Sequence, residues 1–200
     1  MLNIYKLDED IFVTKDYFEI MYKTYIDAEE KGRYQVGFVA PLIPINGYGN
    51  MRLLEKLGLE TKYEEMFERP LYAAGANRMI ENNPDVAKFF WGEKNIIPSI
   101  DELAEKFGMQ PMDYRACPIR FSIGAILFNR TMFEDMGMFS VNRKTTAMGA
   151  DEIELCSNAM KNSKAIIVSE NTVVGHLSFG GQNAAMKEYY LANRDKFRVK

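Results

Sequence analysis

Close to its beginning the chain reads Ile4-Tyr5-Lys6-Leu7-Asp8-Glu9-Asp10, and the interpretation of the remaining sequence depends on this segment. Residues 4–7 have the pattern of a buried strand, and three acidic residues follow them without an intervening turn. Asp8 and Asp10 are only two positions apart, and carboxylates this close repel each other unless a cation lies between them. The segment therefore makes Asp8 and Asp10 candidate ligands of a divalent cation at the carboxyl end of a strand.

The residues that follow decide between several kinds of Asp-x-Asp site. By itself the motif is a weak signal, and a solvated acidic turn that caps the next helix is then the favoured explanation. An EF-hand loop needs further acids and a glycine at fixed positions, but Ile11-Phe12-Val13 follows. A phosphatase that forms an aspartyl phosphate needs a small residue and a hydroxyl group there, and the same apolar residues exclude it.

The remaining pattern predicts a single α/β domain over residues 1–200. A helix capped by Thr14 and ended by Gly32 is expected to bury an apolar face that carries Phe18, Met21, Tyr22, Tyr25 and Ile26. A second strand follows at residues 36–40, and this strand, helix, strand order predicts a mixed, mainly parallel sheet flanked by helices. Further strands are predicted at residues 121–128, 165–168 and 172–177, and further helices at 150–160 and 183–193.

Residues 51–115 differ from this pattern and are predicted to form a helical insertion. Three short amphipathic stretches lie at residues 51–57, 61–67 and 100–107. Ser99 and Glu102 have the spacing of a capping box for the last of these helices. Thr131 and Glu134 offer a second capping box after the strand at 121–128.

The composition excludes several classes of protein. Of the 200 residues, 47% are hydrophobic and 26% are charged, which is typical of a globular domain. A net charge of -3 opposes binding to nucleic acid, which requires a basic surface. No apolar run approaches the ~20 residues of a membrane span, and no secretion signal precedes Asp8. We therefore expect a cytoplasmic protein in which Cys117 and Cys156 are buried, reduced thiols.

Two later segments carry candidate site residues. His176, the only histidine, ends an apolar run and precedes Gly180 and Gly181, so its ring could reach the edge of a site and add a neutral ligand to the carboxylates. A structural role for a lone histidine remains an equal alternative. Asp151 and Glu152 follow Gly149-Ala150 at a predicted helix start, where acids also stabilise the helix dipole. Either carboxylate could deprotonate an acceptor hydroxyl group.

Taken in order, these segments resemble the GT-A glycosyltransferases of the family-2 kind over nearly the whole chain. Residues 6–13 resemble the strand and Asp-x-Asp segment of that family, and residues 36–44 resemble the strand and loop that follow it. Residues 122–130 and 133–139 are similar to the acceptor-side strand and helix. Asp151-Glu152-Ile153-Glu154-Leu155 falls where the family carries its Glu-Asp-x-Asp-Leu base motif, and His176 falls where a late histidine completes the metal shell.

The resemblance implies transfer of a sugar from a nucleotide-diphosphate sugar to a glycan or lipid-linked acceptor. It implies that Asp10 holds a divalent cation, Mn²⁺ or Mg²⁺. Asp8 then either contacts the ribose of the nucleotide or lies next to the residues that bind the cation directly. His176 then closes the metal shell, Glu152 is the base, and Asp151 orients the acceptor. The acids occur here as Asp-Glu rather than Glu-Asp, so either of the two could be the base.

The family also carries about a hundred residues that bind the nucleotide before its Asp-x-Asp strand, whereas this chain begins at that strand. We therefore expect the exposed edge to be covered by a complementing N-terminal segment or by a second copy. A non-catalytic module that dimerises, or binds metal or saccharide, is the alternative function. A metal-dependent hydrolase is less favoured, because such sites usually contain more histidines. Trp91 could stack on a sugar and Arg120 could bind a phosphate, although core packing and an exposed strand edge explain them as well.

Overall fold

The fold is described from a computed structural model that covers residues 2–73, 78–139 and 149–197. Seven strands lie within these ranges: β1 (Asn3–Leu7), β2 (Ile11–Phe12), β3 (Val36–Leu42), β4 (Tyr114–Ala116), β5 (Ala125–Asn129), β6 (Ala165–Val173) and β7 (Gly175–His176). Nine α-helices accompany them: α1 (Tyr17–Glu30), α2 (Gly49–Leu57), α3 (Glu60–Met66), α4 (Met79–Asn82), α5 (Pro84–Phe90), α6 (Ile100–Gly108), α7 (Arg130–Asp135), α8 (Ala150–Lys161) and α9 (Asn183–Ala192).

Five strands form the central sheet, in the order β1-β5-β3-β6-β4. β3 and β6 are parallel, while β5 is antiparallel to both β1 and β3, and β4 is antiparallel to β6. β1, β3 and β6 therefore run in one direction and the other two strands run opposite to them. The predicted mixed α/β sheet flanked by helices is confirmed. The apolar strand β5 lies between β1 and β3.

The first strand is an edge strand, and the prediction that it is buried is wrong. Among the described residues β1 pairs only with β5, and its side chains are half-buried or exposed. Leu7 is 40% exposed. The alternation of residue types in a segment this short does not distinguish a central from an edge position, because both give apolar residues on the inward face.

The first helix begins later than predicted, and only part of the predicted face is buried. The Thr14 hydroxyl donates to the carbonyl oxygen of Val173 at 2.7 Å and does not cap α1. Phe18 and Tyr22 are 48% and 45% exposed. Met21 and Tyr25 of the predicted face are buried, and they continue along the helix with Tyr17 and Ala28 at spacings of about one helical turn.

Several further element boundaries were predicted incorrectly. The strand expected at residues 121–128 begins only at Ala125, because the Ser122 hydroxyl accepts from the N–H of Gly124 and forms a turn. The helix after β5 is capped by Asn129, whose side chain accepts from the N–H of Met132, and not by Thr131. In place of the strands expected at residues 165–168 and 172–177, the structure has one longer strand, β6, and the short strand β7. The pairing of β6 with β3 contains a register irregularity.

The insertion at residues 51–115 is largely helical, as predicted. It contains α3 to α6 and most of α2, and it ends in β4. Both hydrogen bonds of the predicted capping box between Ser99 and Glu102 are present at the start of α6. Cys117 and Cys156 are buried and are not joined by a disulfide, as expected. Within the three described ranges, no helix combines the length and apolar composition that crossing a bilayer requires.

A buried ion cluster attaches the insertion to the central sheet. Glu170 of β6 is fully buried, and the Arg52 guanidinium of α2 donates to both of its carboxylate oxygens, at 2.5 and 2.8 Å. Lys56 and Arg115 add ion pairs at 3.2 Å each. Burial by itself would raise the pKa of Glu170, but the Arg52 and Lys56 charges outweigh it and hold the pKa below its ordinary value. The cluster therefore stabilises the fold with an ionised carboxylate.

Replacing Glu170 with glutamine should destabilise the protein strongly, because the substitution leaves Arg52 and Lys56 without their buried counter-charge. We expect Glu170→Gln to lower the free energy of unfolding by about 3–5 kcal/mol at pH 7, measured by urea denaturation. Because the folded-state pKa is lowered, this difference should shrink as the pH falls below 4.5. Glu19→Gln, which removes an exposed pair with Lys23, is the control and should have almost no effect. Equal effects of the two substitutions would contradict this account.

Candidate functional site

The sequence-predicted residues meet in one cavity. It has a volume of about 240 Å³, and segments from four separate parts of the chain line it. Asp8, Glu9 and Asp10 come from the turn after β1, and Asp151 and Glu152 come from the start of α8. His176 comes from β7. The remaining lining residues lie in the turn before β5 and in the segment after β7: Ser122, Ile123, Gly124, Gly149, Ser178, Phe179, Gly180 and Asn183.

A two-residue strand pair places His176 beside Asp10. β2 and β7 are antiparallel, with Ile11 opposite His176 and Phe12 opposite Gly175. The N–H of Leu177 also donates to the Asp10 carbonyl oxygen at 3.1 Å. As a result, the His176 Nε2 atom lies 3.2 Å from an Asp10 carboxylate oxygen, although the two residues are far apart in sequence.

The indole of Trp91 packs against β7 and hydrogen-bonds to its backbone. Its Nε1–H lies 3.2 and 3.3 Å from the carbonyl oxygens of His176 and Leu177. A Cβ atom at Gly175 would lie 2.3 Å from the indole ring, so only glycine fits at this position of β7. Trp91 is 8% exposed and packs against Phe197. Its role is therefore in the core, and the alternative of stacking on a sugar ring is wrong.

Asp8 has a different environment from Asp10. The Lys6 ammonium donates to the Asp8 carboxylate at 2.5 Å and to the Ile123 carbonyl oxygen at 2.8 Å. The Asp8 N–H donates to the Gly124 carbonyl oxygen at 2.8 Å, which fixes the turn against the segment before β5. Lys6 was missed in the sequence interpretation, although residues two apart on a strand point to the same face. Lys6 already balances the charge of Asp8.

Asp10 and His176 could together hold a divalent cation. Burial by itself would raise the pKa of Asp10, but the hydrogen bond and charge of His176 outweigh burial and lower it, which favours a carboxylate. The other ring nitrogen of His176, Nδ1, is buried and has no hydrogen-bond partner among the described residues. In the part of the chain that the structure describes, no group of three or more His, Cys, Asp or Glu encloses an ion position. The protein therefore contributes two adjacent donors of the right chemistry.

Two protein donors suit a metal that is also bound by substrate. Mg²⁺ is usually held in proteins by one or two carboxylates together with substrate phosphate groups and water. Carboxylate oxygen and imidazole nitrogen are also ligands that Mn²⁺ accepts. Asp10 and His176 could therefore supply two ligands of a cation whose remaining ligands come from outside the protein.

Glu152 is the buried acid of the site. It lies in the first turn of α8 after Gly149, whose φ of 78° is in the left-handed region. Glu152 is 7% exposed, and burial raises the pKa of its carboxyl group to about 7, although Arg120 opposes the shift. The Arg120 Nε atom lies 3.1 Å from the Glu152 carboxylate. Asp151 is exposed at the rim, and its carboxylate accepts from the Glu152 N–H at 2.9 Å.

Arg120 does not occupy the exposed strand edge considered from the sequence. It lies in the irregular segment between β4 and β5, and its guanidinium pairs with Glu152 and, at 3.7 Å, with Glu81 of α4. Glu81 was also missed, and no local pattern marks it, because only the packing of the insertion brings it to Arg120. The two candidate base residues thus differ in burial, and only Glu152 is shielded from solvent.

Comparison with known proteins adds no identification to this geometry. No family model, curated protein or solved structure matches the chain.

The raised pKa of Glu152 predicts a pH-dependent contribution to stability. Between about 4.5, its ordinary value, and about 7, the folded state holds the proton more tightly than the unfolded state, so rising pH removes stability. The free energy of unfolding of wild type should therefore fall relative to Glu152→Gln, by up to about 3 kcal/mol across this range. Urea denaturation at intervals from pH 4.5 to 7.5 measures the difference.

The matched control is Glu188→Gln, which changes an exposed glutamate on α9. Its difference from wild type should stay constant over the same pH range. A constant difference for Glu152→Gln as well would show that the Glu152 carboxyl group titrates alike in the folded and unfolded states.

Proposed function

We propose that this chain is the metal-binding and acceptor-binding part of a GT-A-type glycosyltransferase. It would transfer a sugar from a nucleotide-diphosphate sugar to a glycan or lipid-linked acceptor. One observation carries the proposal: Asp10, His176 and Glu152 line the same cavity although they come from separate elements. The resemblance in sequence requires them to meet, whereas a set of unrelated acidic turns does not.

In this proposal Asp10 and His176 hold the cation. When bound, the Mn²⁺ or Mg²⁺ ion neutralises the negative charge that develops on the departing diphosphate. Asp8 is paired with Lys6, which favours a role for Asp8 beside the nucleotide ribose rather than as a second carboxylate on the ion. The Lys6 ammonium also reduces the net charge of the acidic turn, so a diphosphate meets less repulsion there.

Glu152 is the proposed base. The acceptor oxygen forms a bond to the anomeric carbon, the bond from that carbon to the diphosphate oxygen breaks, and the hydroxyl proton passes to Glu152. A pKa of about 7 suits this role, because the carboxylate is then partly ionised near neutral pH and still binds a proton well. Asp151 is exposed at the rim of the cavity and would orient the acceptor. Burial thus favours Glu152 over Asp151 as the base.

The cavity suggests that this part of the molecule holds only a fraction of the donor. Its volume of about 240 Å³ is below the roughly 300–1,000 Å³ of pockets that enclose a drug-sized ligand. The diphosphate and the transferred sugar are the donor groups that lie nearest the cation in this proposal. The base and ribose of the nucleotide would extend beyond this cavity.

A second candidate function is a non-catalytic module that dimerises or binds metal or saccharide. The observation that favours it is the edge of β1 that pairs with no strand in the described ranges, beside which Leu2, Phe18 and Tyr22 are 59%, 48% and 45% exposed. Exposed apolar residues beside an unpaired strand are typical of a surface that another chain covers. This candidate predicts no cation-dependent affinity for a nucleotide.

Calorimetric titration of uridine, guanosine and thymidine diphosphates, with and without Mn²⁺, separates the two candidates. We expect at least one nucleotide to bind only in the presence of Mn²⁺. Asp10→Asn should weaken this binding by at least about tenfold, because it removes a charged oxygen ligand of the cation.

Asp16→Asn is the control, since Asp16 is an exposed acid in the left-handed region and asparagine tolerates that conformation. It should bind like wild type. The absence of any Mn²⁺-dependent heat for all three nucleotides, with wild type folded, would contradict the transferase proposal and favour the assembly module.

A further inference from the structure

Arg120 lies between two buried carboxylates. Its Nε atom is 3.1 Å from Glu152, and its Nη2 atom is 3.7 Å from Glu81. Glu81 and Glu152 are only 5% and 7% exposed, while the Arg120 side chain is 30% exposed. The three side chains form an ion triad, defined here as Glu81, Arg120 and Glu152. Two acids in the triad therefore share a single guanidinium.

Hydrogen bonds of neighbouring residues hold the backbone around Arg120 in place. The N–H of Cys117 donates to the Ile166 carbonyl oxygen at 2.8 Å, which attaches the segment to β6. The Cys156 thiol of α8 donates to the Phe121 carbonyl oxygen at 3.4 Å. The N–H of Ile123 donates to the Glu152 carboxylate. Arg120 thus has a fixed backbone position beside the first turns of α8.

We propose that Arg120 is a positioning residue through which Glu81 of the helical insertion controls the charge and orientation of Glu152. Arg120 holds the Glu152 carboxylate toward the cavity. Glu81 competes for the same guanidinium, so Glu152 receives only part of its positive charge. The functional consequence of this inference rests on the proposed role of Glu152 as the base, whereas the triad itself does not require catalysis.

The charges around Glu152 support this assignment. Arg120 favours the ionised form, while Glu81 and Asp151 disfavour it, and burial disfavours it most. Cys156 also faces Glu152 from the next turn of α8, and its thiol has a pKa raised to about 11, chiefly by burial, so it stays neutral. Asp8, Glu9, Asp10 and His176 lie across the cavity. Glu81 is the one of these groups that belongs to the insertion.

The test is a direct titration of the Glu152 carboxyl carbon by ¹³C NMR, in protein labelled at the glutamate carboxyl carbons. The Glu152 signal is assigned from its loss in Glu152→Gln. We expect Glu81→Gln to lower the Glu152 midpoint by about one pH unit, because it removes a repelling charge and releases the guanidinium. Arg120→Gln should raise the midpoint by about one unit or more, because it removes the positive charge that pairs with the Glu152 carboxylate.

Arg120→Lys and Glu188→Gln are the matched variants. Lysine keeps the positive charge, so Arg120→Lys should have a midpoint close to that of wild type, and it can be measured even if Arg120→Gln destabilises the fold. Glu188→Gln should leave the Glu152 midpoint unchanged. Unaltered midpoints in both Glu81→Gln and Arg120→Gln would overturn the triad. A merely structural role for Arg120 would change stability without moving the midpoint.

An assay of sugar transfer distinguishes failure of this inference from failure of the proposed function. If transfer occurs, the pH–rate profile of Glu81→Gln should shift downward by the same amount as the NMR midpoint. A shifted NMR midpoint without any sugar transfer by wild type would support the triad and contradict the transferase proposal. A profile that does not follow the midpoint would contradict the control of the base by Glu81.

Discussion

The pairing of β2 with β7 is the contact on which the candidate site depends. These strands contribute only two residues each, yet their register places His176 opposite Ile11 and next to Asp10. Such a short pair is weak alone, because few hydrogen bonds offset the cost of bringing distant segments together. It is stabilised from outside by Trp91, which contacts Gly175 and hydrogen-bonds the carbonyl oxygen of His176. The geometry of the site therefore depends on packing in the insertion.

The second constraint on the site is the number of carboxylates that it contains. Asp8, Glu9, Asp10, Asp151 and Glu152 line one cavity. Each acid that leaves water needs a compensating charge or must hold a proton. Lys6 supplies that charge to Asp8, and Arg120 supplies part of it to Glu152. Among the described residues, the ion-pair partner of Asp10 is His176, whose ring is a possible metal ligand, so Asp10 is the acid at which we propose that a cation binds.

The sequence predicted the mixed α/β class and the residues that line one cavity, but not the neighbours of individual elements. Asp10, Glu152 and His176 were selected because each follows or begins a regular element, and elements of an α/β sheet bring such ends together. The burial of β1 and the cap at Thr14 were predicted wrongly, because local patterns define a strand or helix but not its neighbours. Lys6 could have been found from its two-residue spacing to Asp8. Glu81 could not, because its approach to Arg120 depends on how the insertion packs.

The most direct test of the site is the position of a bound cation. A crystal grown with Mn²⁺ and a nucleoside diphosphate should show one anomalous scattering peak, measured near the manganese absorption edge. The account predicts that this peak lies about 2.0–2.5 Å from both an Asp10 carboxylate oxygen and a ring nitrogen of His176, with diphosphate oxygens as further ligands. A diphosphate bound elsewhere, or an anomalous peak that contacts neither residue, would contradict it.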